Sequence, residues 1–405
     1  MTPAATPTDP ITTPTPFGRF VVPTDIRFGP GVVTELAGAI APYGDRVLIV
    51  TDAGVRTTGL VDRILAPVTE AGASITIFDG VSPNPRDNEC QAAAALARDE
   101  GITVIVAIGG GSPIDAAKCA AALATNGGTA RDWAVPRRLA HDPLPLIAIP
   151  TTAGTGSEVT RGAVITDEEH RTKLTVKDDR MAPRLALVDP ELTHSVPPHV
   201  SAATGIDVLT HAIEAYTGRR SNAISDGLAL QAMRLVGAHL VDAVHDGSNA
   251  AAREGMMMAS LLAGMAFGNA DVAAVHCLAE ALGGRYDTPH GVANAVMLPV
   301  VMRYNAGADP QRHANVADTL GVDIREYGPE EAARLAVTAV ADLVRTVGIP
   351  ALRDLSGIDP LDFPALALTA AANSSTPSNA REIDVAGYET LLLEAWSDSP
   401  AGATG

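Results

Sequence analysis

Cysteine, aromatic residues and clustered positive charge are all scarce in this 405-residue chain, and each scarcity excludes something. The three cysteines, Cys90, Cys119 and Cys277, are scattered and odd in number, so they form neither a disulfide framework nor a close Cys-x-x-Cys pair. That usage fits a reducing compartment, and the expected location is cytoplasmic. Aromatics make up only 3% while alanine is abundant, which reflects genome composition rather than function. Lys and Arg total 29 against 47 Asp and Glu, a net charge of -18, and no basic run breaks the pattern. A polyanionic partner such as nucleic acid is therefore not expected. No membrane or export segment is expected either, since Met1 to Pro16 has no cationic start and no apolar core. Its Thr/Pro bias predicts a disordered tail over residues 1–17.

What is present suits two cores. The length exceeds one ordinary domain, and 46% hydrophobic against 19% charged residues marks a globular chain. Phe20-Val21-Val22 and Ile26-Arg27-Phe28 read as short strands, and Val32 to Ala41 as a helix. Arg46–Thr51, Ser74–Phe78, Thr103–Ile108 and Leu146–Ile149 read as strands, with a helix over 88–100. Continuous apolar strands alternating with helices predict a parallel sheet with helices on both faces. Past Pro197-Pro198 the character changes to amphipathic helical stretches: 203–216, 224–241, 251–267, 275–283, 329–347 and 387–396. The expected organisation is an α/β domain over 18–197 and an all-helical domain over 198–405.

Four residues of the helical half carry most of the chemistry. Asp207 and His211 sit four apart in a stretch with no helix breaker after Gly205, so carboxylate and imidazole share a face. His276 and His290 bracket a helix, a stop at Gly283-Gly284 and a return through Pro289. One carboxylate and three imidazoles suit a divalent first-row metal, between iron and zinc. Such an ion polarises a carbonyl or alcohol oxygen. Taken singly, an Asp–His pair or a histidine in an apolar helix is more often structural.

The α/β half offers a counterpart. Ile108 ends a strand, and Gly109-Gly-Gly-Ser-Pro-Ile-Asp115 follows, opening a helix with Pro113 in its first turn. Glycines allow close backbone approach, and free N–H groups at a helix start favour an anion. This is neither the Gly-x-Gly-x-x-Gly fingerprint nor a P-loop, and tight packing explains many such turns. After the next strand, Pro150-Thr-Thr-Ala-Gly-Thr-Gly-Ser-Glu158 sets hydroxyls and glycines where open α/β sheets bind ligands. Asp52, ending another strand, is placed like an acid that bonds an adenosine ribose, or like a helix N-cap.

Together these segments closely resemble the iron-containing (group III) alcohol dehydrogenase family. The resemblance runs from about Phe28 to Arg381 and rests on Phe28-Gly-Pro-Gly31, Gly109–Asp115, Pro150–Glu158, Gly205–Glu214 and Pro289–Asn294. It implies the dehydroquinate synthase-like fold of that family, with a dinucleotide-binding domain, a helical domain and an active site between them. By position, Asp207, His211, His276 and His290 match metal ligands, with Fe2+ expected first and Zn2+ second. Gly110, Gly111, Ser112 and Asp115 match the pyrophosphate loop. Thr151, Thr152, Thr155 and Ser157 match the loop beside the nicotinamide ribose. Lys173 matches a lysine reaching that ribose, and Leu187 an apolar residue against which the cofactor packs. Asp52 matches the position that disfavours a 2′-phosphate, so NAD is expected rather than NADP.

One position departs from the family. Many members carry a second histidine four residues after the first C-terminal histidine ligand, where this chain has Glu280. A carboxylate there offers a proton relay, a partner to a ligand, an additional ligand, or simply a group turned to cleft water. Glu280 and His290 are thus the candidate catalytic residues. The resemblance implies an NAD(H)-linked, metal-dependent alcohol dehydrogenase or aldehyde reductase for a small alcohol or carbonyl substrate, as a homodimer or higher homo-oligomer. A lyase or synthase of the dehydroquinate synthase type and a maleylacetate reductase share the scaffold. A non-catalytic nucleotide-binding protein is the rival from another class.

Overall fold

The computed structural model describes residues 18–398, so the segment 1–17 read above as disordered lies outside the described residues. Among the described residues, eight strands fall before residue 189: β1 (Asp25–Phe28), β2 (Arg46–Val50), β3 (Ser74–Phe78), β4 (Val104–Gly109), β5 (Leu146–Pro150), β6 (Gly162–Asp167), β7 (Thr172–Lys177) and β8 (Leu185–Val188). Six form one sheet in the order β1-β8-β5-β4-β2-β3, with every pairing parallel. Strand alternation sends Leu48, Val50, Ile105 and Ala107 to one face, where helices Asp87–Asp99 and Gly111–Asn126 cover them. Val47, Ile49, Val104 and Val106 go to the other, under helices Leu36–Ile40 and Leu60–Glu70. Strands buried on both faces need no polar side, hence their unbroken apolar runs.

Beyond β8 the described residues are helical, and the long helices Pro198–Thr217, Ala223–His245, Ala250–Ala270, Ala274–Tyr286 and His290–Asn305 share a second core. Among the described residues, no single helix is long and apolar enough to cross a membrane. The halves meet where Val159, Ala186 and Val188 pack on Met257 and Leu261. Beside that contact two glycines touch backbone to backbone: a Cβ on Gly156 would lie 2.5 Å from Gly264 Cα, and one on Gly264 would lie 2.8 Å from Gly156 Cα. Gly156 also has φ +59°, which L side chains rarely adopt.

Three details differ from expectation. Phe20–Val22 is not a strand; the Asn269 side chain takes the pairing role, accepting from Val21 N at 2.7 Å and donating to Val21 O at 3.2 Å. Gly283-Gly284 does not stop its helix, which runs on to Tyr286. A Cβ on Gly284 would lie 2.9 Å from Arg171 O, so this glycine lets the helix approach the turn after β6. That turn belongs to an antiparallel hairpin, β6–β7, which the apolar-run reading does not anticipate.

Candidate active site

Helix Pro198–Thr217 begins with proline in its first turn and places Asp207, His211 and Glu214 along one face. Helix Ala274–Tyr286 starts at Ala273, which has no side-chain cap. Glu214 supplies one from the neighbouring helix, accepting from Ala273 N and Val275 N at 2.7 Å each. The same carboxylate accepts from His276 Nδ1 at 2.6 Å. Since a carboxylate only accepts here, Nδ1 carries the proton and Nε2 presents its lone pair. His290 opens helix His290–Asn305, and Asn294 follows one turn later. Asn294 Nδ2 donates to Asp207 Oδ1 at 2.6 Å and lies 3.1 Å from His290 Nε2. Sequence reasoning assigned no role to Glu214 or Asn294, although each lies a turn from a histidine of the quartet.

Asp207, His211, His276 and His290 each present one ligand atom, and these atoms lie within 4.8 Å of one another. His276 Nε2 and His290 Nε2 are each 3.8 Å from Asp207 Oδ1, and His211 Nδ1 is 4.0 Å from Oδ2. These gaps are too long for hydrogen bonds. They suit atoms placed around one ion at bonds of about 2.0–2.2 Å. His211 Nδ1 and His276 Nε2 are enclosed without any hydrogen-bond partner, so the donor set fits a cation. Burial, reinforced by His276, holds the His211 imidazole well below its usual range, and burial pushes His290 down to about 3. Both therefore stand as neutral ligands. Burial works the same way on His276, but the carboxylates of Glu214, Asp207 and Glu280 together outweigh it and raise that group.

The three histidines line a cavity of about 390 Å³ together with Gly111, Ser112, Asp115, Thr155, Ser157 and Lys173 from the α/β half. His290, its side chain 33% exposed, is the open side of the cluster. The Gly-rich turn fits closely against the Thr-rich loop: a Cβ on Gly110 would lie 3.0 Å from Thr152 Oγ1, and one on Gly111 2.6 Å from Thr155 Cγ2. Helix Gly111–Asn126 has no side-chain cap, so its first N–H groups remain available to an anion.

The other expected cofactor residues take varied places. Asp115 lines the cavity, yet its oxygens are held by Ser157 Oγ and Lys118 Nζ on one side and Val164 N on the other. Lys118 Nζ, wholly buried, also bonds Ser157 Oγ at 2.8 Å, Thr160 Oγ1 at 2.9 Å and Gly162 O at 2.8 Å, so Asp115 and Lys118 brace the Thr-rich loop. Thr151 is 3% exposed and off the cavity wall. Leu187 is fully enclosed in the core on one sheet face, away from that wall, so it offers a cofactor no surface. Asp52 caps helix Ala53–Thr57 through Val55 N at 2.9 Å, and its Oδ2 lies 3.4 Å from the Cβ position of Gly109 in the Gly-rich turn. Lys173 Nζ donates to Asn84 Oδ1 at 2.8 Å and Thr166 Oγ1 at 2.9 Å, and burial lowers it to about 8. Glu280 lies on the cavity wall outside the four-ligand cluster, bonded to Asn373 Nδ2 at 2.7 Å.

Known proteins match this chain over most of its length. Residues 23–190 match the family described as iron-containing alcohol dehydrogenase, and residues 201–396 match its C-terminal part. The 1,3-propanediol dehydrogenase of Klebsiella pneumoniae is 42% identical over 367 residues, covering 90% of this chain and 95% of that protein. A crystal structure of a 1,3-propanediol oxidoreductase superposes with TM-score 0.90 at 41% identity, over 93% of this chain and 99% of that one. A sulfoacetaldehyde reductase from Bifidobacterium kashiwanohense, solved in complex with NAD+, gives TM-score 0.84 at 30% identity, over 95% of this chain and 100% of that one. The chain belongs to the iron-containing alcohol dehydrogenase family.

Proposed function

We propose that this protein is an NAD(H)-linked, metal-dependent alcohol dehydrogenase and aldehyde reductase acting on a small alcohol or carbonyl compound. The carrying observation is that the Asp207–His211–His276–His290 cluster and the uncapped, Gly-rich start of helix Gly111–Asn126 open onto one cavity. Those four residues would hold a divalent ion, Fe2+ in keeping with the family, which when bound supplies Lewis-acid polarisation of an alcohol or carbonyl oxygen. NAD, the cofactor in the reductase complex, would supply the hydride acceptor.

The remaining work belongs to the chain. Glu214 fixes the His276 tautomer, and Asn294 holds the Asp207 carboxylate in position. N–H groups of Gly111 and Ser112 would hold the cofactor pyrophosphate, and Thr155 and Ser157, on the same cavity wall and braced by Lys118 and Asp115, would line its nicotinamide side. Lys173 reaches the cavity as the group for the ribose, and Asp52 stands by the Gly-rich turn as the acceptor for an adenosine diol. The functional division is a dinucleotide unit over 18–197 and a metal-holding helical unit over 198–405. A cytoplasmic location is supported by three buried, unpaired cysteines. Assembly as a homodimer or larger is supported by β1, an edge strand of the described sheet.

The test is a coupled NADH assay with small alcohols and aldehydes on protein loaded separately with ferrous iron and with zinc. Metal-dependent turnover is expected. No turnover of any alcohol or aldehyde with either metal overturns the reading.

A further inference from the structure

Three carboxylates reach the cavity wall, and two of them are fully occupied. Asp115 is held by Ser157, Lys118 and Val164 N. Asp271 accepts from Arg220 and Ser378 on Oδ2 and from Ser375 and Val272 N on Oδ1. Glu280 differs. Its Oε2 accepts from Asn373 Nδ2 at 2.7 Å, whereas Oε1 has no protein donor among the described residues. Nor is Oε1 one of the enclosed atoms lacking a partner, so it meets the open volume of the cavity. Glu280 follows His276 by one turn on the same helix face, which turns it toward the metal cluster.

Charge decides what this oxygen takes. Burial raises the Glu280 carboxyl above its ordinary range, and the Asn373 hydrogen bond and the Lys173 ammonium work against that shift. Lys173 is the counter-charge already present, and what Oε1 lacks is a hydrogen-bond donor. Asn373, Ser374 and Ser375 continue the wall as uncharged polar groups, while Phe267, stacked on His211 at 4.1 Å, offers an apolar surface for a short carbon chain.

We propose that Glu280 Oε1 accepts a hydrogen bond from a second hydroxyl of the substrate, so that the site selects a short neutral diol, or a hydroxyaldehyde in reverse, over a plain alkanol. This rests on the reading that the cavity receives the alcohol. Glu280 is then a specificity-determining residue that touches substrate.

The experiment compares 1,2- and 1,3-propanediol with 1-propanol on the metal-loaded enzyme. Two readouts are taken: kcat/KM, and the Kd of each alcohol for the enzyme–NADH complex by titration calorimetry. Wild type should favour at least one diol by roughly tenfold or more in both, as expected for a hydrogen bond to a charged acceptor. In Glu280→Leu that preference should fall to near unity, with metal content and NADH affinity retained. Glu280→Gln, the same shape without the charge, should lose about threefold or more of the preference, and it serves alone if the leucine variant does not fold. A preference retained in whichever variants fold, or wild type indifferent to the second hydroxyl in both readouts, overturns the proposal. Failure to turn over any alcohol would instead refute the dehydrogenase reading, and the calorimetric comparison would still judge Glu280.

Discussion

Replacing Glu214 by glutamine tests whether the metal centre is built from behind. Glu214 holds three donors: Val275 N on Oε1, and Ala273 N with His276 Nδ1 on Oε2. A glutamine must set its NH2 against at least one of these N–H groups. The less costly orientation faces it to Val275 N, leaving a buried donor unsatisfied at about 1–3 kcal/mol. The two surviving bonds lose their charge assistance, so the total loss of stability should be about 2–4 kcal/mol. His276 keeps an acceptor on Nδ1 but loses the charged one that raises its basicity as a ligand, and metal affinity should fall by about 10–100-fold. Urea unfolding of the metal-free protein reads the first quantity, and competition with a chelator of known affinity reads the second. The position is 4% exposed, so solvent offers no substitute partner. Unfolding and metal affinity both unchanged in Glu214→Gln would refute the account. Lost stability with unchanged metal affinity would leave Glu214 as a helix cap only.

Three further outcomes are expected. His211→Ala should lose bound metal, read by elemental analysis, and nearly all turnover, while NADH affinity stays as in wild type; full metal content with full rate would show that the quartet is not the centre. Asp52→Gly should raise the use of NADP relative to NAD, since the carboxylate near the Gly-rich turn repels a 2′-phosphate; a wild-type preference for NADP would contradict the assignment. Glu158 is buried with Oε1 unpartnered, and burial raises its pKa from 4.5 to about 7. Within that window the folded protein keeps a proton that the unfolded chain has released, so this stabilisation is present below pH 4.5 and lost as pH rises through 7. Glu158→Gln should therefore flatten the fall in stability between pH 4.5 and 7, by at most roughly 3 kcal/mol; identical pH dependence of urea unfolding in both proteins would contradict it.

The parallel sheet was legible because its strands, buried on both faces, read as unbroken apolar runs. The quartet was legible because Asp207 and His211 share a face within one helix and His276 and His290 stand close to a turn. What stayed hidden depends on contacts distant in sequence. Phe20–Val22 has strand composition, but its partner is the side chain of Asn269, a pairing no local pattern encodes. The β6–β7 hairpin mixes charged and apolar residues because it lies partly open, so the apolar-run signal fails there. Gly283-Gly284 looks like a stop until the Arg171 carbonyl is seen against it. Leu187 sits in a strand whose end reaches the ligand side of the sheet, yet strand alternation turns its side chain into the core. The placement of Asp115 has the same origin: its partners Ser157 and Val164 lie far along the chain.

The reciprocal contact of Gly156 and Gly264 bears on how such enzymes can be recombined. Each glycine belongs to a different half of the chain, and neither tolerates a Cβ beside the other's backbone. A chimera joined between β8 and helix Pro198–Thr217 inherits one glycine from each parent. Parents that both keep the pair should yield hybrids whose halves dock without adjustment. If either parent carries alanine there, the Thr-rich loop would be pushed off the helical half, and the defect would appear at the cofactor rather than at the crossover.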